Sequence, residues 1–558
     1  MKQKVIRILL CMMLCMAFVP VTVSADTAKA APSGIWTDFA ADAFAGGSGT
    51  AGDPYQIATA EQLAKLAADV NSGAGDKTHS GEYFVLTKDI DLSEHVWTPL
   101  GYESYASGSA QSFQGHFDGN GYKVTGLYVD ERGKNRSAGL FGCVTASDGE
   151  PIIQNLTVEN GTVYAGDNTN DEEVQYGAGL LIGNITILGG GSVTGTFVKN
   201  CSVSGMVDSN MYAGGLIGSA NYTQISDCRA EVEVNGWCVA GGFVGYAFEA
   251  KMENCVAIGE VESKGWSTGG FAGFMSSDSQ ADRCAAYGKV TASDWNCGVF
   301  AGYIEENVTI ENCVAFGDVE SKVGKWNPKV GGFAGTVNGS TIKTSHAAGK
   351  ITSVSSTYQA GGFAGVNENG SFSWNSFDVE KNAGLKALGG QTASDLEGVE
   401  AASTQKVKAN VCQDFEKKHE LEPVEGKAAT CTDDGWKPYY KCEACGSLYS
   451  DKELRTMIDE PEVIKANGHK FGEWHITKKA TATEKGEKER ICEVCQFVEK
   501  AEIPATGAAG NTDPAQGKAD QSAETGDSSH IGLLFALLAA SALGIAATVI
   551  VKKRRTLL

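Results

Sequence analysis

Short runs of alternating hydrophobic and polar residues, interrupted by glycines, dominate the middle of this chain. One phrase, a small residue or two followed by apolar residues and a closing glycine, occurs eight times. The copies are Ala138–Gly142, Gly179–Gly183, Gly214–Gly218, Gly241–Gly245, Gly269–Gly273, Gly298–Gly302, Gly331–Gly335 and Gly361–Gly365. Alternation with a period of two predicts strands, and a phrase that returns at a near-constant interval predicts a solenoid.

A second phrase, usually Asn-Cys followed by a small residue and a glycine, comes after each glycine phrase. With two or three short strands per repeat, the pattern predicts a mainly β, parallel β-helix-like solenoid of about eight coils. Residues that recur in register should then form inward ladders, one of Phe243, Phe271, Phe300, Phe333 and Phe363 and one of Cys201, Cys228, Cys255, Cys284 and Cys313. Thiols that all point the same way favour buried free cysteines over disulfides.

A helix should cover the first coil of this solenoid. Thr59 is a suitable N-cap, and Leu63, Leu66, Ala67 and Val70 follow at helical spacing. Because the first coil of a solenoid exposes strand edges and an apolar cross-section, a covering element is needed there.

Residues 34–390 resemble the GLUG-motif repeats of bacterial surface proteins. The resemblance rests on the eight glycine phrases and on N-terminal segments such as Asp53-Pro54-Tyr55-Gln56-Ile57 and Trp97-Thr98-Pro99-Leu100-Gly101. It implies a β-helix-like extracellular region and supplies no catalytic residues.

Both ends of the chain predict export and anchoring in a membrane. Basic residues, an apolar run and a small-residue cleavage site at Ala25 are typical of a signal peptide. Residues 531–551 are uncharged and precede four basic residues, which predicts a single transmembrane helix with a cytoplasmic tail.

Thr525-Gly526, just before that helix, resembles the sorting signal that sortases process in Gram-positive bacteria. That resemblance implies cell-wall attachment, although Ser522 and Ala523 replace the Leu-Pro of the family pattern. Ile503-Pro504-Ala505-Thr506-Gly507 matches the pentapeptide more closely but lies farther from the helix. We therefore expect a location on the surface of a Gram-positive bacterium, anchored in the membrane or the cell wall.

The net charge argues against nucleic acid as a partner. The whole chain carries -22, and without the signal peptide and tail 39 basic residues face 68 acidic ones. A surface this acidic repels a phosphate backbone.

Beyond residue 411 the sequence contains two similar copies of a cysteine-rich unit. Its prominent residues are Cys431, Cys442, Cys445, His469, Cys492 and Cys495. Two C-x2-C pairs that share one ion would suit tetrahedral zinc, and the unit resembles zinc-ribbon-like repeats, which implies a structural metal. Disulfides, or one site per half built from Cys431, Cys442, Cys445 and His469, are the alternatives. Ala482, in place of Cys431, would leave the second half short of ligands.

Aromatic residues recur seven to nine positions before a closing glycine, at Trp237, Trp266, Trp295, Trp326 and Tyr358. They should line one corner of the solenoid. Exposed, they would form a platform for sugar rings; half-buried, they would stack to stabilise the turn.

These patterns divide the chain into eight segments. They are a signal peptide (1–25), an N-terminal cap with the first strands (34–130), the repeat solenoid (131–390), a linker (391–411), the cysteine module (412–503), a linker with the sorting-like motif (504–530), the transmembrane helix (531–551) and the tail (552–558).

The function that fits best is that of a non-enzymatic surface protein, an adhesin or a presenting stalk that binds glycan or a host or extracellular-matrix protein. A β-helix enzyme acting on polysaccharide is the first alternative, but carboxylates such as Glu260, Glu311 and Asp318 are scattered rather than convergent. A surface peptidase or its accessory protein is the second, and no protease motif is present.

Overall fold

The computed structural model describes residues 31–507, except for 74–76, 105–108, 135, 147–149, 167–175, 188–194, 294, 323–327, 354–359, 391–393 and 452–455. The predicted signal peptide, transmembrane helix, Thr525-Gly526 and basic tail lie outside these residues, as do Trp326 and Tyr358. Among the helices in the described ranges, none combines the length and apolarity needed to cross a membrane. The chain forms two units, one reaching Ala428 and including Gly435–Ile464, the other made of Ala429–Asp434 and the chain from Lys465 onward.

Four parallel sheets wind along the first unit as a β-solenoid, which confirms the predicted fold class. One coil runs from sheet 1 to sheet 2 through the corner that holds the cysteine ladder, here called the cysteine corner. It continues to sheet 3 through the corner that holds Trp237, Trp266 and Trp295, the tryptophan corner, and reaches sheet 4 through the glycine phrase, the glycine arc. Each strand pairs with the equivalent strand of the next coil, as Lys251–Glu253 does with Gln280–Asp282.

The strand bounds follow the repeat. Sheet 1 contains Tyr55–Ile57, Tyr83–Leu86, His116–Asp118, Ile152–Gln154, Thr196–Lys199, Thr223–Ser226, Lys251–Glu253, Gln280–Asp282, Thr309–Glu311, Thr341–Lys343 and Ser371–Ser373. Sheet 2 contains Ile90–Asp91, Lys123–Thr125, Tyr128–Glu131, Thr157–Ala165, Ser202–Ser209, Arg229–Gly236, Val256–Ile258, Val261–Ser263, Ala285–Ala286, Val290–Ala292, Val314–Ala315, Val319–Ser321, His346–Ala347, Ile351–Ser353, Asn375–Asp378 and Val399–Ala402.

Sheets 3 and 4 carry the two halves of the glycine phrase. Sheet 3 contains Gly177–Ala178, Tyr212–Gly214, Val239–Gly241, Ser267–Gly269, Asn296–Gly298 and Lys329–Gly331. Sheet 4 contains Phe141–Ala146, Ile182–Ile187, Ile217–Asn221, Val244–Phe248, Ala272–Ser276, Ala301–Ile304, Ala334–Asn338 and Ala364–Glu368. A separate hairpin pairs Tyr102–Ser104 with Ser109–Gln111.

The described solenoid has more turns than the eight that the glycine phrase predicts, since sheet 1 alone contains eleven strands. Its first strands, Tyr55–Ile57, Tyr83–Leu86 and His116–Asp118, precede the first copy of the phrase. A coil can therefore form without the glycine arc, and counting the arc underestimates the length.

Both predicted ladders are confirmed in the core. The rings of Phe243, Phe271, Phe300, Phe333 and Phe363 stack with centroids 4.8, 4.8, 4.8 and 4.9 Å apart, and all five are fully buried. Along the cysteine ladder each thiol hydrogen-bonds within its own corner; Cys255 donates to the carbonyl oxygen of Glu253 at 3.2 Å. Burial raises the pKa of Cys228, Cys255 and Cys284 well above the usual thiol value, so these thiols stay protonated and act as small apolar residues.

The predicted N-terminal cap is helix α1, Ala60–Asn71. The Thr59 side chain accepts from the backbone N–H of Gln62, as an N-cap residue does. Leu63, Leu66 and Ala67 are completely buried and belong to the same core cluster as the solenoid interior. A short 3-10 helix, Trp36–Phe39, lies before it.

The glycine phrase exists because the backbone at the junction of sheets 3 and 4 packs more closely, both within a coil and against the neighbouring coils, than side chains allow. A Cβ on Gly241 would lie 2.0 Å from the carbonyl oxygen of Val244. On Gly242 it would lie 2.2 Å from the oxygen of Gly270, and on Gly245 it would lie 2.5 Å from that of Gly218. Each of these contacts is with backbone, which cannot rotate away, so all three glycines are sterically required.

Replacing Gly241 by alanine should therefore lower the free energy of unfolding by about 1–3 kcal/mol, the usual range for overpacking. Gly52→Ala is the matched control because a Cβ there meets nothing within 4 Å, and it should change stability by less than about 0.5 kcal/mol. Denaturant unfolding followed by circular dichroism measures both. Equal stability of the two variants would contradict the steric explanation.

The segment expected as a linker, 391–411, contains regular structure. Val399–Ala402 adds the last strand to sheet 2, and helix α2, Thr404–Asp414, follows with Ser403 as its N-cap. Val407 and Val411 pack on Val314 and Ala402 at the outer face of that sheet. The prediction missed this helix because its apolar positions are few and only tertiary packing makes them a buried face.

Short antiparallel strands make up the cysteine module. In the first unit Leu421–Val424, Tyr439–Cys442, Leu448–Tyr449 and Met457–Ile458 form one sheet, and Gly435–Trp436 pairs with Val463–Ile464. In the second unit the sheet consists of His475–Lys478, Gly486–Ile491 and Val498–Ile503.

Candidate functional site

The tryptophan corner between sheets 2 and 3 is exposed. Trp237, Trp266 and Trp295 have 47%, 57% and 43% of their surface accessible. The rings of Trp266 and Trp295 lie 6.4 Å apart with a 36° tilt, and the Lys264 ammonium lies 6.0 Å from the Trp237 ring. The three rings are thus accessible to solvent, and two of them also contact each other between successive coils.

Two exposed tryptophans also adopt a backbone conformation that bulky residues rarely take. Trp295 has φ +43° and Trp374 has φ +61°. Trp374, which the sequence pattern did not single out, is 80% exposed at the corner where other coils place Asn254, Arg283, Asn312 and Thr344, all likewise with positive φ. Left-handed backbone costs a non-glycine residue about 1–2 kcal/mol, and its recurrence from coil to coil makes it part of the solenoid turn.

Four potential metal ligands converge at the end of the first unit: Cys412, His419, Cys442 and Cys445. Helix α2 presents Cys412, and the turn after strand Tyr439–Cys442 presents the C-x2-C pair. The sulfurs of Cys412 and Cys442 are 3.9 Å apart, and Cys445 Sγ lies 3.4 Å from His419 Nδ1.

The second unit contains an equivalent set of four: Cys431, His469, Cys492 and Cys495. Here the sulfurs of Cys431 and Cys492 are 3.8 Å apart, and Cys495 Sγ lies 3.2 Å from His469 Nδ1. The two clusters thus have nearly the same geometry, with the first cysteine against the start of the knuckle and the histidine against its end.

Both clusters fit a tetrahedral ion. Ligand sulfurs about 2.3 Å from zinc lie about 3.8 Å from each other in a tetrahedron, which matches the two sulfur pairs. A disulfide needs sulfurs about 2.05 Å apart, and none joins the cysteines in the described ranges. Three thiols and an imidazole are also the soft donors that zinc prefers.

In each knuckle, backbone N–H groups stabilise the thiolate form of the first cysteine, whereas burial raises the pKa of Cys412, Cys431 and Cys445. The pKa of Cys492 is lowered to about 6, mainly by a hydrogen bond from the backbone N–H of Cys495. Desolvation acts in the opposite direction, and the N–H of Val494 adds to the lowering. Burial acts to raise the pKa of Cys442, but hydrogen bonds from the Cys445 and Ala444 N–H groups outweigh it and leave the pKa below the usual thiol value.

The structure groups the ligands differently from either arrangement expected from sequence. The two C-x2-C pairs belong to different clusters, and Cys431 joins His469 in the second unit rather than Cys442 and Cys445 in the first. Cys412 and His419 were missed. For His419 a signal was available, since 22 residues separate each histidine from its C-x2-C pair in both halves, but no equal spacing points to Cys412.

Ala482 is explained by the same grouping. Thr430 and Thr481 begin equivalent turns, each closed by a backbone N–H to carbonyl bond of 2.9 Å, to Asp433 and Glu484. The first turn places Cys431 in the cluster of the following half, whereas the second turn carries Ala482 and contributes to neither cluster. The sequence suggested that Ala482 leaves the second half short of ligands, but Cys431 supplies the fourth residue of that cluster.

The scattered carboxylates and histidines stay apart from these sites. Glu260 and Asp318 are exposed, and Glu311 pairs with Lys343 at 2.9 Å. His346 is fully buried, 2.9 Å from Ser376 Oγ and 3.1 Å from Asp414 Oδ2. These three hydrogen-bonded residues anchor helix α2 to the solenoid. Because the helix covers them, they offer no open face to a substrate.

Sequence comparison with known proteins finds one repeat-motif family and two relatives. Residues 209–235 match the family model described as the GLUG motif. A 176-residue segment is 34% identical to halomucin of Haloquadratum walsbyi, covering 31% of this chain and 2% of that protein. A 149-residue segment is 32% identical to a protein of Evansella cellulosilytica provisionally named a Gly-rich membrane protein, covering 26% of this chain and 14% of the relative.

A solved structure, provisionally named an immunoglobulin A1 protease from Bacteroides ovatus, aligns with 68% of this chain and 92% of its own at a TM-score of 0.36 and 18% identity. A likeness this weak carries no conclusion about activity. The chain is thus a β-solenoid that contains a match to the GLUG motif, and it spans only a small part of the curated relatives that it matches.

Proposed function

We propose that this chain is a non-enzymatic cell-surface protein whose solenoid binds carbohydrate at the tryptophan corner. The exposure of Trp237, Trp266 and Trp295 on successive coils carries the proposal. Tryptophan combines a large apolar face with an N–H donor, which suits the C–H face and the hydroxyls of a sugar ring. Repetition of the corner from coil to coil gives a polymeric ligand several equivalent contacts.

Two observations support a location at the cell surface. The sequence has an apolar segment near each end, and the Evansella relative is described as a membrane protein. On this proposal the apolar segment 531–551 anchors the protein, with Thr525-Gly526 as the point of attachment to a Gram-positive cell wall. A matrix protein of the host is the alternative ligand at the same corner.

The two cysteine–histidine clusters hold structural zinc. Their ligands are Cys412, His419, Cys442 and Cys445 in the first unit, and Cys431, His469, Cys492 and Cys495 in the second. When bound, zinc links strands that have almost no apolar core, as it does in other small metal-stabilised modules. All four positions of each tetrahedron are protein ligands, which is the arrangement of a structural rather than a catalytic ion.

Replacing Trp266 by alanine together with Trp295 by asparagine should weaken glycan binding about tenfold or more without lowering the melting temperature. Asparagine is chosen at 295 because it tolerates the left-handed backbone there. Loss of two aromatic contacts, each worth about 0.5–1.5 kcal/mol, accounts for the expected change.

Tyr287→Ala, an exposed aromatic on another part of the solenoid, is the matched control. Binding is measured on a glycan array and then by calorimetry. If the double variant keeps full affinity while its melting temperature drops, the tryptophans only stabilise the corner and the proposed site is wrong.

A further inference from the structure

A second aromatic surface lies on sheet 4, beyond the glycine arc from the tryptophan corner. Tyr246, Phe274 and Tyr303 occupy the same register position on three successive coils. Their ring centroids are 5.3 and 5.1 Å apart, and Tyr212 of sheet 3 stacks on Tyr246 at 5.1 Å. We call these four residues the aromatic row. All are partly exposed, whereas the core phenylalanines are fully buried.

The solenoid does not need aromatic residues at this position. The same register column contains Ser219 before the row and Thr336 and Val366 after it. Small or branched residues therefore satisfy the sheet, and three large rings on adjacent coils are an addition that folding does not explain.

Hydrogen-bonding groups border the row. The Tyr246 hydroxyl lies 3.2 Å from Ser276 Oγ, and the Tyr303 hydroxyl interacts with Glu305 and Asn338. Burial, together with the neighbouring Glu306, raises the pKa of Glu305 although its hydrogen bonds with Tyr303 and Asn338 oppose the shift. Exposed Glu249, Asp278, Glu306 and Glu368 complete an acidic border along the adjoining turns.

The ligand chemistry follows from these two features. The rings of Tyr246, Phe274 and Tyr303 meet edge to face, at interplanar angles of 66° and 80°. Rings repeated once per coil suit a polymer that lies along the solenoid axis and contacts ring faces and ring edges in turn. Carboxylate and amide oxygens accept hydrogen bonds from hydroxyl groups. An acidic border repels anionic polymers, so uronic-acid polysaccharides and nucleic acids are disfavoured.

From this geometry we infer that the aromatic row is a second carbohydrate-binding surface, selective for a neutral polysaccharide that runs along the solenoid axis. The inference rests on the proposed carbohydrate-binding function and extends it from the tryptophan corner to sheet 4.

The test uses the whole protein and replaces the row with residues that the solenoid itself uses in this column, in the variant Tyr246→Ser, Phe274→Thr, Tyr303→Thr. The probes are neutral glucan, mannan and galactan, with hyaluronan and polygalacturonate as anionic counterparts. The unmodified protein should bind at least one neutral polymer and neither anionic one. The triple variant, which loses all three rings of the column, should bind it about tenfold or more weakly.

Wild-type affinity in the triple variant overturns the inference. If the tryptophan double variant loses binding in the same experiment, the proposed function still stands. Binding only to anionic polymers, or only to a protein, overturns the inference as well. Absence of binding to every polysaccharide overturns both proposals. If the triple variant melts early, the single change Phe274→Thr decides the question by the same readout.

Discussion

Removing metal with a chelator is expected to unfold the second unit while the solenoid stays folded. Within the described part of that unit, Cys431 and Cys492 are the only buried side chains, and both belong to the cysteine–histidine cluster. Without an ion there is almost no apolar core to hold the three strands together. Structural zinc contributes about 10–16 kcal/mol of apparent binding free energy in zinc-finger peptides, so the effect should be complete rather than partial. Hydrogen exchange followed by mass spectrometry resolves the two units.

Metal analysis of single-cysteine variants tests the grouping of the ligands. Protein purified under reducing conditions should contain two zinc ions per chain. Cys431→Ser and Cys492→Ser should each remove the ion of the second unit, and Cys442→Ser that of the first. Cys238→Ser, a solenoid cysteine outside both clusters, should remove neither.

Two observations would contradict this arrangement. If Cys431→Ser and Cys442→Ser removed the same ion, the two halves would share one site. If the protein contained no metal and mass spectrometry found disulfides among the six cysteines of the clusters, the clusters would be disulfide-linked rather than metal-binding.

Replacing Phe271 by alanine is expected to lower the free energy of unfolding by about 3–5 kcal/mol, the usual cost of truncating a buried phenylalanine. Its ring stacks between Phe243 and Phe300 at 4.8 Å on either side and is completely buried. A cavity there interrupts the ladder at one coil, and a solenoid depends on the contact between each coil and its neighbours. Chemical denaturation measures the loss.

Phe274→Ala is the matched control, because Phe274 is the same residue type three positions further along the same coil, on the outer face. Its loss should be less than half as large. If the two variants were equally destabilised, the phenylalanine ladder would not be the main apolar support of these coils.

The fold was predictable because each coil repeats the same local information. Period-two alternation indicates strands, and equal spacing places Phe243 above Phe271 and Cys255 above Cys284 without any knowledge of distant contacts. The cap was equally local, since Thr59 and the helical spacing of Leu63 and Leu66 lie within one turn or two of each other.

Helix α2 and the metal clusters were not predictable in this way. Val407 and Val411 become a buried face only because the last coils of sheet 2 lie beneath them. Cys431 belongs with His469, 38 positions away, although Cys442 is much nearer in sequence. Ligand identity depends on which turns the strands bring together, and spacing alone leaves several groupings open.

The sequence by itself determined the parallel β-solenoid, its phenylalanine and cysteine ladders and its helical cap, because each follows from residues that repeat at a constant interval. Only the tertiary structure decided that the tryptophan corner is exposed, that sheet 4 carries a row of outward aromatic rings, and that six cysteines and two histidines form two clusters. Exposure and coordination depend on contacts between residues far apart in the chain, and those contacts exist only once the coils and strands are packed.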